Sequence, residues 1–137
     1  MAIPDLDTTF KSQSSRFGDT AYQVVVAPFE AATDVFYTSV PFAGTLVRVL
    51  FCNGATASDG SNYYDVTVVN ASNSDAAMIS AYSSTTNDVA AYGTEEATLS
   101  TTAANLAVDA GDCVEVTATV TGTVTDARVI LYFENSL

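Results

Sequence analysis

The run Cys113-Val114-Glu115-Val116-Thr117-Ala118-Thr119-Val120-Thr121 constrains this chain more than any other segment. Val114, Val116, Ala118 and Val120 alternate with Glu115, Thr117, Thr119 and Thr121. A strand turns successive side chains to opposite faces, so the run specifies a sheet with one buried face and one wetted face. Its β-branched residues suit a half-buried pleated surface, so composition and period agree. A tight turn, Ala110-Gly111-Asp112, leads into it, and Gly122 to Asp126 turn out of it into an apolar strand, Ala127 to Glu134.

Earlier segments repeat this grammar. Ala21 to Ala27 and Val35 to Val40 read as strands closed by Pro28 and Pro41, since proline cannot donate to a ladder. Thr45 to Cys52 is apolar on both faces, with Val47, Val49 and Phe51 opposite Leu46, Leu50 and Cys52, and Arg48 among the latter. Such a strand is central and covered twice, or it faces a partner. Asn53 to Asn62 is a loop and Tyr63 to Asn70 a strand. Asn70 to Glu96 is the least regular region, with a short strand or helical turn around Ala76 to Tyr82. Ala97 to Thr101 and Asn105 to Asp109 read as short strands. The expected fold is all-β: a two-sheet antiparallel sandwich of jelly-roll type with about eight strands. It occupies residues 21–137. Residues 1–20 differ, being polar and aperiodic, and read as an extended N-terminal arm. In that arm Phe10 and Phe17 are the expected anchors on a partner, and Lys11 and Arg16 the expected contacts to acid.

The chain has 137 residues, enough to bury about 68% of its unfolded surface in one core. Apolar residues make up 48% and charged residues 15%, which favours a folded chain over a disordered one. Four basic residues face sixteen acidic ones, a formal charge of -12 that repels nucleic acid and anionic membranes. Two of the four bases, Lys11 and Arg16, lie in the arm, which leaves Arg48 and Arg128 for the sandwich. The first residues carry acid and no continuous apolar block, unlike an export signal, so synthesis in a cytoplasm is expected. Cys52 and Cys113 stand far apart in no metal-binding pattern; reduced, packed thiols are the expected state, with a disulfide the alternative if the mature protein leaves the cell.

The sequence has no histidine, the usual general base and metal ligand near neutral pH. Glu95 and Glu96 are adjacent on an extended segment and so point apart, a poor carboxylate pair for catalysis. Asp109, Asp112 and Glu115 could offer oxygens to calcium, but the two aspartates read better as turn formers and Glu115 as a wetted strand residue. The chain is therefore expected not to be an enzyme and to need no cofactor or metal. Loop tyrosines Tyr63, Tyr82 and Tyr92 are the candidates for stacking on a glycan or anchoring an interface.

From Pro41 onward the sequence resembles small jelly-roll proteins of tailed-bacteriophage virions, notably head decoration (cement) proteins and head-fibre or knob modules. The resemblance lies in Phe42-Ala43-Gly44-Thr45-Leu46-Val47-Arg48-Val49 and Tyr64-Asp65-Val66-Thr67-Val68-Val69-Asn70. It continues in Leu106 to Val116 around Ala110-Gly111-Asp112, and in Ala127-Arg128-Val129-Ile130-Leu131-Tyr132-Phe133. It is architectural, shared with sugar-binding modules and fibre tips. It implies a virion protein on the capsid surface, a homo-oligomer (trimer or dimer) bound to the major capsid protein and stabilising the head. A carbohydrate-binding module contacting glycans through the loop tyrosines is the alternative.

Overall fold

The computed structural model describes residues 22–29, 32–55, 57, 60–87 and 89–136. The arm, with Phe10, Lys11, Arg16 and Phe17, lies outside the described residues. Ten strands form two antiparallel sheets: β1 (Tyr22–Phe29), β2 (Thr33–Ser39), β3 (Gly44–Cys52), β4 (Tyr63–Asn70), β5 (Ala76–Ala77), β6 (Tyr82–Ser83), β7 (Thr94–Glu96), β8 (Ala107–Val108), β9 (Cys113–Thr121) and β10 (Ala127–Asn135). Sheet A has the order β1-β10-β3-β7, with β8 also on β3; sheet B has the order β2-β9-β4-β5, with β6 also on β4. The first four strands alternate between the sheets. Strands β9 and β10 return from the end of the chain to lie between earlier ones, so both sheets are closed by long-range pairing.

The alternation read from sequence sets the core. Val114, Val116, Ala118 and Val120 of β9 face inward with Tyr64, Val66 and Val68 of β4, against Leu46, Val49 and Phe51 of β3 and Val129, Leu131 and Phe133 of β10. An aromatic cluster fills one end of this core. Tyr82 stacks on Phe51 with centroids 3.8 Å apart, and Phe29 meets Tyr64 edge-on at 5.0 Å.

Three local expectations are corrected. Leu46 was expected opposite Val49, yet both are fully buried, because a β-bulge at Val47 shifts the register on β10 between Tyr132 and Phe133. Pro28 was expected to end the first strand, but β1 continues through it to Phe29. This is tolerated because β1 is an edge strand, where a missing N–H can face away from the ladder. Ala97 to Thr101 forms only a single bridge, Ile79 to Leu99, and Ala103–Leu106 is one helical turn before the two-residue β8.

Gly44 shows why the β3 start needs glycine: a Cβ there would overlap the carbonyl of Glu134 on β10. Both cysteines are free. Cys52 lies on the outer face of sheet A and Cys113 on that of sheet B, and stacked sheets sit about 10 Å apart, too far for a bridge. Among the described residues no helix is long and apolar enough to cross a membrane.

Candidate functional site

Because β1 and β10 pair in register and β10 pairs with β3, outward-facing residues of sheet A line up in rows across the strands. One row runs Val26–Ile130–Leu50–Glu96; the next runs Val24–Tyr132–Arg48. Tyr22, Val24 and Val26 remain 60%, 50% and 48% exposed, although they stand beside half-buried Ile130, Tyr132 and Leu50. This is a continuous apolar band on an edge strand. Both bases of the sandwich lie on the same outer face. Arg48 pairs with Glu96 at 3.3 Å, and Arg128 opens a further row, Pro28–Arg128–Cys52–Thr94. Apolar side chains and guanidinium groups thus converge on one side of a strongly acidic protein.

Arg128, Cys52 and Thr94 of that last row line a groove of about 480 Å³ at the end of sheet A, together with Asn53, Gly54, Tyr92 and Asp126. Three loops build it. Asn53 is buried and joins them: its Nδ2 donates to the carbonyls of Ala55 and Val89, its Oδ1 accepts from the Tyr64 hydroxyl at 3.1 Å, and its own carbonyl accepts the Tyr92 N–H at 2.9 Å. The Gly54 N–H donates to the Thr125 carbonyl at 2.7 Å. A Cβ on Gly54 would come within 3.3 Å of the Asp126 carboxylate, so glycine lets the two loops close up. Tyr92 (φ 60°) and Asp126 (φ 52°) both occupy the left-handed region, uncommon for a tyrosine. The result holds the Tyr92 ring 90% exposed over the groove.

Of the three tyrosines expected at loop tips, only Tyr92 is there. Tyr82 is a core residue, a correction to its expected loop role. It sits in β6 against β4, stacked on Phe51, with its hydroxyl donating to the Asn87 carbonyl at 3.4 Å. Burial, with Glu95 nearby, raises the Tyr82 hydroxyl above its ordinary value, and burial chiefly does the same to Tyr64. Tyr63 is half-buried opposite Thr121 on the outer face of sheet B, away from Tyr92. Asp126 and Arg128 were not singled out as groove residues. They reach Tyr92 only through the β10–β3–β7 register, which no local pattern encodes; the one available signal was the scarcity of bases in the sandwich.

The acids considered for calcium have other duties. Asp112 Oδ2 accepts from Asn70 Nδ2 and from the Asp109 N–H, each at 2.9 Å; these bonds hold its carboxyl below the usual range. Glu115 Oε1 accepts from the Thr117 hydroxyl at 3.1 Å, and a hydrogen bond to Glu115 raises the Tyr37 hydroxyl above its ordinary value. Among the described residues no group of three or more candidate ligands gathers. Glu95 and Glu96 diverge as expected: Glu95 stands opposite core residue Phe51, while Glu96 turns outward to Arg48.

No family model, curated protein or solved structure matches the chain. Its function therefore has to be read from the two sheet faces and the groove.

Proposed function

We propose that this is a structural virion protein, a capsid decoration or cement protein that binds the major capsid protein and stabilises the head. One observation carries the reading: the apolar band Tyr22–Val24–Val26 with Ile130, Tyr132 and Leu50, flanked by the only bases of the sandwich. An exposed apolar edge strand is an association hazard unless something covers it. Specific interfaces combine such a desolvated centre with a polar rim, and tyrosine and arginine dominate their binding energy. The order β1-β10-β3-β7 over β2-β9-β4-β5 supports a jelly roll, an architecture used in capsid proteins. In this reading residues 1–20 take part in binding the partner, and copies of the chain assemble as a closed homo-oligomer at the capsid surface.

The test is the native mass of the full chain by light scattering, alone and with heads assembled from the major capsid protein of the same virion. The expected result is a discrete oligomer that saturates the heads at a fixed ratio to capsid subunits. Protein that stays in the supernatant at every concentration would overturn the reading.

A further inference from the structure

The groove at the end of sheet A has a different chemistry from the apolar rows beside it, and nothing in the docking role requires it. Arg128 and Thr94 line it from the strands, Asp126 from one loop and Tyr92 from another. Among the described residues no ion pair or hydrogen bond engages the side chains of Arg128 or Asp126, so both keep their full donor and acceptor capacity. At about 480 Å³ the space falls in the usual small-molecule range of roughly 300–1,000 Å³.

We propose that this groove is a binding site for a neutral saccharide. An exposed tyrosine offers a flat face for the C–H side of a pyranose ring. A carboxylate accepts from two neighbouring hydroxyls, and a guanidinium donates in a planar fork to hydroxyl or ring oxygens. Among the described lining residues Asp126 and Arg128 are the only charged pair and together are neutral, while the formal charge of -12 on the chain repels uronic acids, sialic acids and phosphates. The site is also preorganised. The Asn53 hub and the Gly54–Thr125 bond fix both loops before any ligand arrives, which lowers the ordering cost of binding. Tyr63 and Tyr82 take no part. The site does not depend on the virion reading: a decoration protein and a protein unrelated to capsids could each carry it.

The free full-length chain is screened on an array of neutral and acidic glycans, because the docking rows begin one residue row from the groove. The strongest neutral glycan is then titrated by NMR against three variants. Asp126→Asn keeps a residue that tolerates the left-handed backbone, and Arg128→Gln and Tyr92→Ala change exposed side chains. The site predicts saturable binding to neutral glycans, with affinity at least about tenfold weaker in Tyr92→Ala, which loses the stacking face, and in Asp126→Asn, which loses a charge-assisted contact. Arg128→Gln also weakens it, and melting temperatures are unchanged. No array signal would overturn the proposal, as would binding indifferent to all three variants. A preference for acidic glycans lost in Arg128→Gln would overturn the neutral class while keeping the groove.

Discussion

The two sheets share one core but differ in what they turn to the outside. On sheet B the outward residues of the central strands β9 and β4 include Glu115, Thr117, Thr119, Asp65 and Thr67, while edge strand β2 turns out Val35, 49% exposed, and Tyr37, 60% exposed and tied to Glu115. Across its two central strands that face is mainly polar. On sheet A the corresponding positions are Val24, Val26, Ile130, Tyr132 and Leu50, with Arg48 and Arg128 among them. The same pleat and the same inner alternation therefore produce a largely polar wall on one side and a more apolar wall on the other. A strand pattern fixes which side is buried; only the outward half distinguishes a wall that ends at water from one that ends at another molecule.

The comparison breaks most severely if the inner faces are not in fact common to both sheets. Phe51 is fully buried and contacts Tyr82 and Tyr64. Phe51→Ala should cost about 3–5 kcal/mol in denaturant unfolding, with both sheets lost in one transition. Thr117→Ala, on the outer face of sheet B, should stay within about 0.5 kcal/mol. Separate transitions for the two sheets would refute a shared core.

A smaller effect is expected where the chain passes from sheet A to sheet B. The Asp112 carboxylate binds Asn70 on β4 and the Asp109 N–H at the β8–β9 turn. Asp112→Ala should cost about 1 kcal/mol at pH 7, the scale of partly exposed hydrogen bonds to a charge. Its folded pKa lies below the ordinary 3.8, so its contribution is complete above that value and is lost as pH falls through the folded pKa. The gap between wild type and variant should therefore narrow below pH 3.8. A gap that persists undiminished in acid would assign the effect to packing.

The smallest effect belongs to the Arg48–Glu96 pair, whose side chains are half exposed. Arg48→Ala should change stability by no more than about 0.5 kcal/mol, and less in high salt. A larger loss would mean that the bases of sheet A hold the fold together and are not simply available to a partner.

Much of this contrast was legible in the chain. The β9 run, the Tyr63 to Asn70 strand and the final strand have period-two patterns that survive folding unchanged, and the two-faced apolarity of Thr45 to Cys52 matches a central strand with apolar residues on the outer face of sheet A. The bulge at Val47 was not legible, because a single inserted residue leaves composition untouched and reveals itself only against β10. Tyr82 was misplaced because its strand is two residues long, too short for a period, and its burial depends on Phe51 from another sheet. The groove was half legible: Tyr92 stood out as a loop aromatic, while Asp126 and Arg128 join it through pairings between strands distant in sequence.

The most direct test of the proposed docking role is co-sedimentation of two variants with heads of the virion that the protein would decorate, one altered on each outer face. Val24→Asp with Val26→Asp should lower affinity by at least about tenfold, or 1.4 kcal/mol, whereas Thr117→Asp with Thr119→Asp should bind as wild type does. Equal loss in both variants, or full binding by the sheet A variant, would contradict the proposal that sheet A is the docking wall.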